Sequence, residues 1–94
     1  MAQKEKQLRA TIDEKVVDGV YVNMANIMHS PSEFIMDFGR LVPGKPEAKI
    51  LSRIITTPTH AKHLLKALED NISNYEKTYG SIKISEEDKR KLGF

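Results

Sequence analysis

Between residues 21 and 57 three stretches alternate apolar and polar side chains with a period of two, and a helix start, Thr57-Pro58, follows the third without a break. Successive residues of a strand point to opposite faces, so this pattern predicts a sheet with two different faces, followed directly by a helix. The first strand is placed at residues 16–28, the second at 32–38 and the third at 48–57. His29-Ser30-Pro31-Ser32 is turn chemistry, because proline presets its own φ and serine hydroxyls bond nearby backbone groups. Residues 39–47, with Pro43-Gly44-Lys45-Pro46 inside them, cannot continue a ladder and read as a longer hairpin loop.

Thr57 is a good N-cap and Pro58 fits the first helical position, where its missing N–H costs nothing. Ala61, Leu64, Leu65, Leu68, Ile72, Tyr75 and Tyr79 then recur at steps of three and four, which makes one apolar stripe. Gly80 suits a left-handed C-cap. A helix of roughly 22 residues spans about 33 Å at 1.5 Å per residue, longer than the roughly 27 Å of an eight-residue strand. It therefore overhangs its own sheet, and Tyr75 and Tyr79 need cover from elsewhere. The fold class is α+β: a three-stranded antiparallel meander followed by one long C-terminal helix packed on one sheet face, βββα. Residues 1–15 form a polar arm or short helix, 16–84 the single domain, and 85–94 a charged tail in which Ser85 and Asp88 resemble a capping box.

If both hairpins pair even residues with even, one face collects Val20, Val22, Met24, Met28, Phe34, Met36, Phe38, Ile50 and Ile54, the natural seat of the helix stripe. The other collects Tyr21, Ile27, Ile35, Leu51 and Ile55 among Asn23, Glu33, Asp37 and Arg53. Five large apolar groups on an open face call for a cover, with a second copy of the chain as the leading candidate. Arg53 is placed opposite Ile35, with Glu33 and Asp37 on its diagonals, so a register-fixing salt bridge is expected there and an anion site is its alternative.

Composition narrows the function classes. A chain of 94 residues buries only about 60 to 65% of its unfolded surface, so its margin as a monomer is thin. With no cysteine it draws on neither disulfides nor thiolate metal sites, and self-association is the remaining support. No apolar run approaches the 18 or so residues of a membrane span, and the polar start lacks a signal-peptide core. A cytoplasmic protein away from membranes is expected. Fifteen basic against 13 acidic residues give a net charge of +2, a small imbalance on a highly charged surface.

No cluster carries the signature of a reaction. Glu33 and Asp37 stand about 13 Å apart on one strand, too far for an acid/base dyad. His60 and His63 open the helix without a third ligand, so no metal and no cofactor are assigned. With Lys62 they flank the positive end of the helix, where an anion is the functional alternative to solvated side chains. The glycines sit at element ends and form no phosphate-cradling loop. The chain is therefore not read as an enzyme. A homodimeric interaction module is the leading expectation, its interface drawn from Tyr21, Ile27, Ile35, Leu51, Ile55, Tyr75 and Tyr79. Nucleic-acid binding through Arg40, Lys45, Lys49, Arg53 and the tails is the alternative.

Tyr21-x-Asn23, His29-Ser30-Pro31, Glu33-Phe34-x-x-Asp37-Phe38-Gly39, Pro43-Gly44, Ser52-Arg53-Ile54, Thr57-Pro58, His60-Ala61-Lys62 and Tyr75-Glu76-x-x-Tyr79-Gly80 follow one another in an order that resembles the short prokaryotic family known as domain of unknown function 3467. The resemblance covers about residues 16–82. It implies a small three-stranded sheet plus helix of the kind found in bacteria and archaea, and it carries no activity, cofactor or catalytic residue to transfer.

Overall fold

The computed structural model describes residues 8–85. It contains a short helix α1 (Glu14–Val17), strands β1 (Met24–His29), β2 (Phe34–Arg40) and β3 (Lys49–Thr56), and a long helix α2 (Pro58–Tyr79). The strands pair in the order β1-β2-β3, all antiparallel. This is the α+β meander followed by a helix that the sequence predicts. The expected capping box at Ser85 and Asp88 lies outside the described residues, because Asp88 does.

The strand bounds differ from those expected. Residues 16–23 do not extend β1. Asp13 caps α1 by accepting the Lys15 N–H at 2.8 Å, which draws Val16 and Val17 into a helical turn. Local capping there wins over the alternation of Val20 and Val22. β2 runs on to Arg40, and Glu33 falls in the turn, where its backbone N–H donates to Ser30 Oγ and its carbonyl accepts from the Ser30 N–H.

The larger correction concerns the faces. Four residues, 30–33, separate His29 from its partner Phe34, so β1 pairs odd with even: Asn26 faces Asp37, Ile27 faces Met36 and Met28 faces Ile35. β2 and β3 pair even with even and odd with odd from Phe34↔Thr56 to Phe38↔Ser52, after which the register shifts and Gly39 meets Ile50. Leu51 is the extra residue of this bulge. One face therefore holds the rows Met24-Gly39-Ile50, Asn26-Asp37-Arg53 and Met28-Ile35-Ile55, and the other Ala25-Phe38-Ser52, Ile27-Met36-Ile54 and His29-Phe34-Thr56. Met24, Met28 and Ile50 leave the face assigned to them, and Ile27 joins Phe34 and Met36. Neither face is wholly apolar.

Two devices hold the open end of the β1-β2 pair. The Asn23 side chain accepts the Leu41 N–H at 2.8 Å and donates to the Leu41 carbonyl at 3.0 Å, so an amide side chain extends the ladder by one rung. Gly39 lets the strands close over it: a Cβ there would stand 2.5 Å from the Lys49 carbonyl oxygen and 2.8 Å from Met24 Sδ.

α2 starts as its sequence dictates, with the His60 N–H donating to Thr57 Oγ1 at 3.0 Å and Pro58 in the first turn. It stops at Gly80, whose N–H donates to the Glu76 carbonyl, while the Glu76 carboxylate accepts the Ile82 N–H at 2.8 Å. Gly80 takes φ 100 and ψ 169 instead of the left-handed pair of angles expected. Ile82 and Ile84 follow as coil and add no strand.

The helix is not packed on the sheet. Only Thr57 separates β3 from α2, and strand-to-helix links that return a helix onto its sheet commonly take 2 to 6 residues. With so short a link α2 leaves the end of β3 as a projection, makes no substantial contact with the strands, and buries none of its residues. The molecule is accordingly drawn out to 58 × 34 × 31 Å, with a radius of gyration of 16.7 Å against about 12 Å for a compact chain of this length.

Candidate interaction surfaces

Three surfaces combine the residues singled out in the sequence. On the sheet, Arg53 lies directly opposite Asp37, not diagonal to it. Arg53 Nε donates to Asp37 Oδ1 at 2.7 Å and Nη2 to Oδ2 at 2.8 Å, a bidentate bridge. The carboxylate is buried whereas the guanidinium side chain stays more than half exposed. The hydrogen bonds from Arg53 hold the Asp37 carboxyl below its ordinary pKa; burial opposes this and the Arg53 charge adds to it. Asp37 in turn, first through the same hydrogen bonds, raises the pKa of Arg53. Two of the five guanidinium N–H donors are engaged by Asp37, whose carboxylate offsets the Arg53 charge, and Asn26 completes the row.

A second surface forms where the β2-β3 loop folds over the bulge. Arg40, Lys45 and Lys49 line a hollow of about 530 Å³ together with Glu47 and apolar walls. The Tyr21 ring lies 5.2 Å from the Arg40 guanidinium. Leu51, expected at a dimer interface, lines this hollow, while Tyr21, likewise expected there, reaches it through its contact with Arg40, and the Asn23 side chain is bonded to Leu41, next to Arg40. The clustering of Arg40, Lys45 and Lys49 rests on the turn and the bulge, and only the turn has a signal in the sequence, Pro43-Gly44.

The third surface is the stripe of α2. Leu64, Leu65, Leu68, Ile72, Tyr75 and Tyr79 remain 39% to 74% exposed. The Tyr75 and Tyr79 rings contact each other at a tilt of 48°, centroids 4.9 Å apart, and with Ile72 and Ile82 line a shallow depression. At the other end of the helix His60, Lys62 and His63 are exposed side chains of the first turn, and the His60 N–H is spent on Thr57. Among the described residues no three His, Cys, Asp or Glu side chains are placed to hold a metal ion, and no helix is long and apolar enough to cross a membrane. The sheet adds its own open groups: Ile27, Ile50, Ile54 and Ile55 are all exposed, while Ile35 is half-buried.

The family described as protein of unknown function, DUF3467, matches residues 1–84 of the 94. The chain belongs to this family. The match is wider than the resemblance read from the motifs, because it takes in the polar arm as well as the meander and helix. No curated protein and no solved structure matches the chain. For this DUF3467 member the geometry of the three surfaces is therefore the only guide to function.

Proposed function

We propose that this DUF3467 chain is a small homodimeric interaction module in which the α2 stripe of each copy is covered by the other. The observation that carries this is the unpartnered stripe, six large apolar side chains on a helix that its one-residue link holds away from its own sheet. The accessible surface is 8825 Å², against about 5,500 Å² for a compact monomer of the same mass. The excess is about 3,300 Å² per chain, where an obligate dimer buries roughly 1,000 to 2,500 Å² per partner. Part of that excess lies in segments outside the sheet and helix, and the exposed α2 stripe is the part a second copy would cover.

A second copy fits better than an unrelated partner because each chain carries both halves of an unassembled core. The sheet lacks a helix and the helix lacks a sheet, and exchange between two copies completes both without a new loop. Sedimentation equilibrium at micromolar concentration tests this. The wild type is expected at twice the chain mass of 10.7 kDa, and Leu68→Glu at the mass of the single chain. A wild type that stays folded and monomeric would overturn the proposal.

A further inference from the structure

We infer that the hollow under the β2-β3 loop is a binding site for a nucleotide phosphate with its base, presented in a single strand of nucleic acid or as a free nucleotide. The site lies within one chain and stands apart from the dimer proposal.

Its construction is specific. The Lys45 N–H donates to the Val42 carbonyl at 3.0 Å with Pro43 and Gly44 between them, and Gly44 has φ 86. Proline followed by a positive-φ glycine is the signature of a type II turn, which fixes where Lys45 leaves the loop. The bulge at Leu51 and the close approach over Gly39 fix Lys49 on the opposite wall, and the Asn23 clamp on Leu41 fixes the strand end that carries Arg40. Three cations thus line one hollow whose backbone is set by the turn, the bulge and the clamp. Glu47 is the one carboxylate lining it, which leaves two net positive charges, and none of Arg40, Lys45 and Lys49 has an ion pair among the described residues. That differs from Arg53, whose charge Asp37 neutralises.

The walls choose among anions. Val42, Pro46 and Leu51 make the lining partly apolar, and the exposed Tyr21 ring, with the Arg40 guanidinium over one face at 5.2 Å, adds an aromatic group next to one of the three cations. Cations for phosphate with an aromatic face for a base are the two parts of single-strand recognition. An acidic peptide uses the cations but brings no base to stack on the ring.

Fluorescence anisotropy with a labelled twelve-residue oligothymidylate, and with labelled ATP as a second arm, tests the site on the full chain. Phosphate contacts release about 0.7 counterion each on a single strand, so three contacts predict a roughly twentyfold loss of affinity between 50 and 200 mM salt. Lys45→Glu with Lys49→Glu is expected to weaken binding at least tenfold while circular dichroism and oligomer mass stay unchanged. Lys62→Glu with Lys66→Glu, on the helix, is expected to leave it intact. Oligonucleotide binding alone points to a strand, and equal ATP binding to a free nucleotide. The assignment is overturned if neither probe binds at 50 mM salt, if the helix variant loses as much as the loop variant, or if polyglutamate displaces the probe as well as unlabelled oligonucleotide does.

Discussion

Asp37 shows how a single pairing decides what a charged residue is for. Its carboxylate is among the few buried groups of the sheet, and the paired N–H donors of Arg53 keep it ionised. A carboxyl with its folded pKa lowered stabilises the fold above the unfolded carboxylate pKa of about 3.9, and that contribution is lost as pH falls through the lower folded value. The pair therefore adds no slope to thermal stability between pH 5 and 8 and a falling limb below about pH 4. Asp37→Asn is expected to lower the melting temperature at pH 7 and to flatten that acid limb, as thermal scans from pH 2.5 to 7 would show. Gly39→Ala sets a Cβ against the Lys49 carbonyl oxygen at 2.5 Å, and about 1 to 3 kcal/mol of stability should go with it in urea titration. The ion pair was legible in the sequence, since Arg53, Asp37 and Glu33 stood out as charges on a strand. The partner's position was not, because it depends on turn length and not on alternation.

At the scale of the element, period-two patterning located three strands, and Thr57-Pro58 located the helix start to the residue. It failed where two signals competed. Val20 and Val22 alternate like a strand, but Asp13 caps a helical turn just before them and β1 waits until Met24. The faces were misassigned for a related reason. A turn of four residues, 30–33, pairs odd with even and so flips the whole of β1 against the even-with-even pairing expected, and one bulged residue flips Ile50, neither of which hydropathy encodes. The N-cap itself is a separate contribution: Thr57→Ala should cost about 1 kcal/mol, visible as lower helicity and a lower urea midpoint. The link before the helix offers a sharper probe. Insertion of Gly-Ser-Gly-Ser between Thr56 and Thr57 gives α2 the length needed to turn back, so the account predicts a shift from dimer to monomer with the helix content unchanged. Light scattering on the inserted and native chains would report it.

For the whole molecule, an isolated chain leaves most of the large apolar side chains among the described residues exposed, and the buried hydrophobic residues among them are Met24 and Met36, one under each face of the sheet. A hydrophobic core that small does not hold a domain together, and in the proposed dimer the second copy supplies the missing burial. The hydropathy pattern read the helix stripe and the sheet as two halves of one core. It did not show that a single residue joins them so tightly that they miss each other within a chain. If they meet between chains, thermal stability must rise with protein concentration, because dimer formation and folding are then one equilibrium. The most direct measurement is an isotope-filtered nuclear Overhauser experiment on a mixture of labelled and unlabelled chains. The account predicts intermolecular cross-peaks from Leu65, Leu68 and Ile72 of one copy to sheet methyl groups such as Ile27 or Ile54 of the other. Cross-peaks between helix and sheet found only within a chain would contradict it.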